Sequence, residues 1–300
     1  MSTPAPEAET SYDVCYRHPD RPSYIHCQRC GRTICPQCQT QAAVGVQCPE
    51  CVREGRAELA ASRGGILGRL VPQGAAPIVS YLLIGLCVLA YLGQLLSGGA
   101  LTDPWALNPS KIATEPWQLL TSAFIHANPI HILFNLYALF IFGPVLERFL
   151  GRARYLAMYL IGALGGSVGV VLVYQLAVIT NGASASWLGG LLAPASALGA
   201  SGAIFALIGG LLVLHRAIGL QPTQIVVVVV VNLAFGFFVR GIAWQAHLGG
   251  FAVGAAIAAV YLATRRPQQK SAQILSVAGI AVALAVVLTL CVVSQPGAYA

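Results

Sequence analysis

Apolar residues are sparse in the first quarter of the chain and then gather into seven long runs, roughly 77–96, 130–147, 154–178, 199–214, 222–239, 243–264 and 273–293. A helix crossing the hydrocarbon core of a bilayer needs about 20 mostly apolar residues. It must also satisfy its backbone polar groups within the segment. Each run is therefore predicted to be a spanning helix. Residues 1–12 read as disordered, 13–54 as a small cysteine-rich module and 55–75 as a Gly- and Arg-containing linker. Between the first two runs lies a loop of about 33 residues, Gly98 to Ile130, rich in Pro, Trp and Ala and too long for a simple connector. It is expected to lie in the outer leaflet, with Trp105 and Trp117 at headgroup level.

Composition strengthens this reading. Of 300 residues, 57% are hydrophobic and only 9% charged, against roughly 25% charged in a soluble domain. The net charge of +7 does not point to nucleic acid, because the basic residues sit at the ends of apolar runs and form no continuous patch. With the N-terminus inside, Arg53, Arg56, Arg63, Arg69, Arg148, Arg152, Arg154, Arg216, Arg265, Arg266 and Lys270 fall on the cytosolic side, and only Lys111 and Arg240 fall outside. Eleven against two orients the chain with its N-terminus in the cytosol and its C-terminus beyond the membrane. The first 75 residues contain no apolar segment of the kind that opens a secretory signal.

Seven of the nine cysteines lie between positions 15 and 51, while Cys87 and Cys291 stand alone inside apolar runs and read as lipid-buried thiols. Cys15-x-x-His18, Cys27-x-x-Cys30, Cys35-x-x-Cys38 and Cys48-x-x-Cys51 give eight ligands, enough for two structural zinc ions. In a reducing cytosol such pairs favour metal over disulfide, and the segment has too few apolar residues to fold without one. The module resembles a B-box-type or RING-like zinc finger, which implies interleaved pairing, pairs one and three on one ion and two and four on the other. The residues alone also allow sequential pairing, and His26 competes with His18 as a ligand. With every ligand position filled by a side chain, the module is a folding or partner-binding element, its partner unidentified.

Polar groups inside a membrane span are costly and mark function by default. Four stand out: His131 and Asn135 in the second run, Ser201 at the head of the fourth and His247 near the start of the sixth. These three helices run from outside to inside, so all four groups share one depth near the outer surface. Small neighbours in Gly199-Ala200-Ser201-Gly202 let a partner approach the hydroxyl, and Gly250-x-x-x-Gly254 gives the sixth helix a bare face to set against the fourth. A serine and a histidine at matched depth fit a nucleophile and its base. All ten carboxylates lie at or before Glu147, so the second half supplies no third triad member, and a dyad is the natural reading. Phe205, one turn below Ser201, is placed to lie under the imidazole. His131 and Asn135, four residues apart, share a helical face and are candidate oxyanion donors with the Ser201 amide.

His126 with His131-x-x-x-Asn135, then Gly199-x-Ser201-Gly202, then Ala246-His247-x-x-Gly250-x-x-x-Gly254 resemble the three signature motifs of rhomboid intramembrane serine proteases, over about residues 77–264. The resemblance implies an all-α polytopic fold with a six-helix core over 76–265, a seventh helix and tail over 266–300, and a water-filled cavity open to the outside. It implies Ser201 as nucleophile, His247 as base and then acid, and Asn135, His131 and the Ser201 amide around the oxyanion, with His126 and Phe205 in support and Gly199, Gly202, Gly250 and Gly254 in helix packing. Catalysis needs no cofactor. The substrates are transmembrane proteins, cut near the outer end of their helices, and the family points to a bacterial plasma membrane. Where the family carries a Trp-Arg pair in the first outer loop, this chain reads Trp117-Gln118; where it often has Tyr, this chain has Phe205. Two rival classes are an inactive rhomboid-like protein that binds membrane helices, which usually lacks the Ser or the His, and a proton-relaying transporter, which calls for inverted repeats that the sequence does not show.

Overall fold

The computed structural model describes residues 13–42, 44–63, 76–181, 196–217, 221, 223–238 and 242–294. Expectations for residues 1–12, the linker beyond residue 63, Arg69, Arg240 and the tail from 295 fall outside the described residues. The chain divides into two units, residues 1–71 and 72–300, which are taken in turn.

In the first unit, paired cysteines impose tight turns and leave little room for regular structure. Strand β1 (Val14–Cys15) pairs antiparallel with β2 (His18–Pro22), and β3 (Thr40–Gln41) with β4 (Val46–Gln47). Seven buried residues form the core, and six of them are cysteines; Ile34 is the other. So small an apolar core cannot offset the entropy of ordering the segment without additional cross-links. Helix α1 (Pro49–Arg63) follows directly on Cys48. Proline at its first position and Glu50 in its first turn favour its start, and Arg, Glu and Ala carry it forward. The linker expected from residue 55 is thus still helix as far as Arg63.

The second unit is built from α2 (Ile78–Leu96), the short α3 (Thr102–Trp105) and α4 (Gln118–Thr121), α5 (Pro129–Leu150), α6 (Arg152–Asn181), α7 (Ser201–Ala217), α8 (Thr223–Phe238), α9 (Trp244–Ala263) and α10 (Lys270–Val293). Among the described residues, five helices are long and apolar enough to cross a membrane: α2, α5, the Arg152–Ile179 part of α6, α9 and the Pro267–Val293 stretch that contains α10. The fourth and fifth runs form α7 and α8, of which 17 and 16 residues are described. In α7 every residue from Gly202 to Leu211 is buried in the protein.

Helix α7 lies against α6 and α9 at backbone contact distance. A Cβ built on Gly250 would stand 2.0 Å from the carbonyl oxygen of Gly202, and one on Gly254 1.9 Å from that of Ala206. No other residue fits there. Helix α2 has no side-chain cap of its own. Glu147 of α5, 2% exposed, supplies one: its carboxylate accepts from the amides of Val79 (3.0 Å) and Ser80 (2.7 Å) and from the Ser80 hydroxyl (2.7 Å). Helix α10 is tied at both ends. Gln273 accepts from Arg154 Nε (2.7 Å) and donates to the Thr264 carbonyl (3.1 Å), and Gln175 donates to the Ser294 carbonyl (2.9 Å).

The long outer loop is ordered. Gln118, standing where the family carries arginine, is fully buried; it accepts from the Asn108 amide (2.8 Å) and donates to Glu115 and to the Pro104 carbonyl. Trp117 and Trp105 are partly exposed, as headgroup anchors should be, and Trp117 also donates to the Pro104 carbonyl (2.9 Å). Cys87 and Cys291 are buried among protein side chains, which revises their reading as thiols facing lipid.

Candidate active site and metal centres

Ser201 opens α7, and the stretch before it is held on three sides. Ala197 exchanges backbone hydrogen bonds with Leu107 of the outer loop (2.9 Å each way), the Gly199 amide donates to the Ser122 carbonyl (2.8 Å), and the Ala200 amide donates to His126 Nε2 (3.5 Å). Gly199 has φ +116°, a conformation that L side chains rarely adopt. A Cβ there would also lie 2.6 Å from the His131 ring. Chain conformation and a neighbouring imidazole together require glycine.

His247, one turn into α9, places Nε2 3.0 Å from Ser201 Oγ. Its ring stacks on Phe205, with centroids 4.3 Å apart and planes within 4°. Its other nitrogen, Nδ1, is buried without a hydrogen-bond partner among the described residues. Orientation therefore comes from stacking and from the serine, with no carboxylate behind the imidazole. His131 accepts from the Ala127 amide at Nδ1 (3.4 Å). By that assignment Nε2 carries the proton, and Nε2 is the atom beside Gly199. Asn135 is buried and gives one amide hydrogen to the His131 carbonyl (2.8 Å), keeping a second donor. His126 lies edge-on to His131, with centroids 5.3 Å apart, and its Nε2 meets the Ala200 amide, so it acts on the backbone next to the serine and not on the hydroxyl.

Ser201, His247, His131, Asn135, Gly199 and Phe205 line one cavity of about 810 Å³ between α5, α7 and α8. Residues not singled out in the sequence support the site. Gln94, at the end of α2 and 5% exposed, clamps His126 from both sides, accepting from its amide (3.0 Å) and donating to its carbonyl (3.1 Å). Asn232, the polar residue that ends a run of valines in α8, also lines the cavity.

In the first unit the ligand pairs interleave. Cys15, His18, Cys35 and Cys38 form one cluster and Cys27, Cys30, Cys48 and Cys51 the other, with donor atoms within 4.8 Å of one another in each. His26 is in neither; its Nε2 pairs with Asp13 (3.4 Å). A tetrahedral zinc with Zn–S near 2.3 Å and Zn–N near 2.0 Å has edges of roughly 3.8 Å between sulfurs and 3.5 Å between sulfur and nitrogen. His18 Nδ1 lies 3.8, 3.4 and 3.4 Å from Cys15, Cys35 and Cys38, and Cys30 lies 3.8 Å from Cys48. The donor sets fit the ion. Burial is the largest single influence and raises the Cys15 and Cys27 thiols, but several hydrogen bonds together outweigh it, from the Cys35 and Arg17 backbone and the His18 side chain to Cys15 and from the Cys48, Cys30 and Arg29 backbone to Cys27, and bring each down to about 6, favouring the thiolates a metal requires.

The Rhomboid domain family model matches residues 113–264. Similar proteins include the Rhomboid protease GluP of Bacillus subtilis (strain 168), 33% identical over 190 residues, 61% of this chain and 34% of the relative. RHOMBOID-like protein 2 of Arabidopsis thaliana is 35% identical over 174 residues, 57% of this chain and 50% of the relative. Rhomboid protease GlpG of Haemophilus influenzae (strain ATCC 51907 / DSM 11121 / KW20 / Rd) is 34% identical over 89 residues, 28% of this chain and 45% of the relative. The matched segments span between about a third and a half of these relatives' lengths.

Proposed function

This chain belongs to the rhomboid family, and from that premise we propose that it is a serine endopeptidase that cuts transmembrane protein substrates with a Ser201–His247 dyad. The observation that carries the reading is the 3.0 Å contact between Ser201 Oγ and His247 Nε2 inside a mainly apolar cavity that His131 and Asn135 also line. Ser201 Oγ attacks the scissile carbonyl as its proton passes to His247 Nε2. The negative charge that develops on the carbonyl oxygen meets three donors. The Ser201 amide, at the first position of α7, has no intrahelical partner, and the His131 Nε2–H and the second hydrogen of Asn135 stand beside it. His247 then returns the proton to the leaving amine, and water, activated by the same nitrogen, releases the acyl group. Phe205 holds the imidazole plane throughout.

In this reading six helices, α2 and α5 to α9, form the core over residues 76–265, and α10 is the appended seventh span. The excess of basic residues favours a cytosolic N-terminal unit and a cavity mouth on the far side of the membrane, and the resemblance favours a bacterial plasma membrane. A continuous substrate helix hides its carbonyls, so cleavable substrates carry Gly, Pro or other helix-weakening residues near the cut. The interleaved clusters hold two structural zinc ions, whose chemistry is to cross-link the fold; the ions take no part in hydrolysis, and the module they hold binds a partner still to be identified.

The test is cleavage of a model single-span substrate with a Gly- or Ala-containing juxtamembrane segment by purified protein in detergent, beside Ser201→Ala and His247→Ala. Cleavage by the wild type alone supports the dyad. Binding without cleavage by all three proteins replaces it with an inactive helix-binding protein.

A further inference from the structure

The two clusters of the first unit differ in charge. Three thiolates and a neutral imidazole around a divalent ion leave one negative charge, whereas the four thiolates of Cys27, Cys30, Cys48 and Cys51 leave two. The four-sulfur cluster also contains the exposed ligand, Cys30, while the other three are buried. On charge and access its sulfurs are the more basic and the more open to attack, which makes the exposed Cys30 the weak point of the site.

Arg32 lies across that weak point. Its Nε is 3.3 Å from Cys30 Sγ and its Nη2 3.9 Å from Cys48 Sγ, so one guanidinium spans a sulfur from each ligand pair. Two further contacts fix it from behind: Nη1 pairs with Glu50 at 2.6 Å, and the guanidinium carbon stands 4.5 Å from the centroid of the Tyr16 ring. Backbone donors complete the sulfur shell, from the Cys48 amide to Cys27 Sγ (3.2 Å) and from the Cys51 amide to Cys48 Sγ (3.4 Å). The plain alternative is a half-exposed surface ion pair between Arg32 and Glu50, of a kind that contributes little to stability. That alternative does not account for the two sulfur contacts. Nor does a lysine meet the geometry, because only a planar fork presents separate donors to two sulfurs and a carboxylate.

Resting on the zinc reading above, we propose that Arg32 is the positioning residue of the four-sulfur site: it offsets the extra negative charge, pins Cys30 and Cys48 in their metal-binding rotamers and selectively slows metal loss from that site. Partners outside the first ligand sphere typically change metal affinity by 10- to 100-fold. The histidine-containing site has no such cation against its sulfurs among the described contacts.

The experiment uses full-length protein in detergent, loaded with zinc. Metal content comes first: two ions per chain are expected, and a wild type without zinc removes the reading on which the proposal rests. Release to a chromophoric chelator is then followed for wild type, Arg32→Met and Arg32→Lys. Arg32→Met is expected to accelerate one of two equal phases by on the order of tenfold or more and leave the other unchanged, with Arg32→Lys in between. In the cobalt-substituted protein, Arg32→Met is expected to move the sulfur-to-metal charge-transfer band of the four-sulfur site to lower energy, a change that mere loosening of the fold does not produce. Unchanged release and spectrum overturn the proposal. So does equal acceleration of both phases, which assigns Arg32 to general stability.

Discussion

Gly250→Ala probes the contact that sets the distance between the two proposed catalytic groups. The new Cβ meets the Gly202 carbonyl oxygen at 2.0 Å and its carbon at 2.8 Å, and ordinary contact begins near 3.4 Å. Both obstacles are backbone, so no side chain can swing away, and α7 and α9 must separate by about 1.4 Å. Gly202 follows Ser201, and Gly250 lies less than one turn from His247. The separation therefore falls almost undiminished on the 3.0 Å Ser201–His247 contact, stretching it toward roughly 4.4 Å, well beyond hydrogen-bond range. A displacement of about 1 Å costs on the order of 100-fold in rate, and a general base contributes about 10²–10⁴-fold, so kcat should fall at least about 100-fold. Overpacking costs a further 1–3 kcal/mol of stability. The assay is cleavage of the single-span substrate in detergent, with thermal unfolding of the same samples and labelling of Ser201 by a fluorophosphonate. Gly279→Ala in α10, where an added Cβ meets nothing within 4 Å, is the control and should behave as wild type. Cleavage by Gly250→Ala within threefold of wild type, at an unchanged unfolding temperature, would refute the idea that glycine contact sets the dyad distance.

Phe205→Leu removes the stacked face beneath His247; an aromatic pair is worth about 0.5–1.5 kcal/mol, so kcat should drop about two- to twelvefold with KM little changed, and Phe205→Tyr should stay near wild type. Glu147→Gln replaces a charged cap of α2 with a neutral one, and hydrogen bonds to charged groups contribute about 1.5–3 kcal/mol; equilibrium unfolding should show a loss of that order, while activity at low temperature persists. Gln118→Leu strands the Asn108 amide and should cost about 1–3 kcal/mol, read as earlier proteolysis within the outer loop. Chelation of metal under reducing conditions should open residues 13–63 to trypsin and leave the membrane helices protected; equal protection with and without chelator would contradict a metal-held module.

The parts of this architecture that were legible in the sequence are those whose residue types are costly in their surroundings. Ser201, His131, Asn135 and His247 stand out because apolar neighbours leave them few bland roles, and the structure brings all four to one cavity. The cysteine pairs gave the number of ligands but not their partners, since spacing along the chain says nothing about which pairs meet in space; interleaving was implied only by the resemblance to B-box-type or RING-like fingers, and the two clusters of the fold have that arrangement. Gln94 escaped notice because a glutamine at the end of a span resembles any interfacial residue, and its partner His126 lies 32 residues away. Glu147 stood out only as the last carboxylate of the chain, yet it is the cap that α2 lacks. The enclosure of α7 escaped notice for a different reason: counting apolar residues does not separate a helix that faces lipid from one that faces other helices, and α7 faces protein.

The absence of any carboxylate after Glu147 bears directly on how the base is held. A triad fixes its imidazole through a hydrogen bond at Nδ1, which also selects the tautomer. Here Nδ1 of His247 is buried and unpartnered among the described residues, so the ring plane must be set by shape: Phe205 on one face, and a helix packing that admits only glycine at positions 250 and 254. Orientation by packing is less tolerant than orientation by a hydrogen bond, because a hydrogen bond can follow a shifted partner and a close-packed helix pair cannot. A chain that uses a dyad in a membrane is therefore expected to concentrate its sensitivity to substitution in the glycines of α7 and α9, beside the two residues proposed to carry the chemistry.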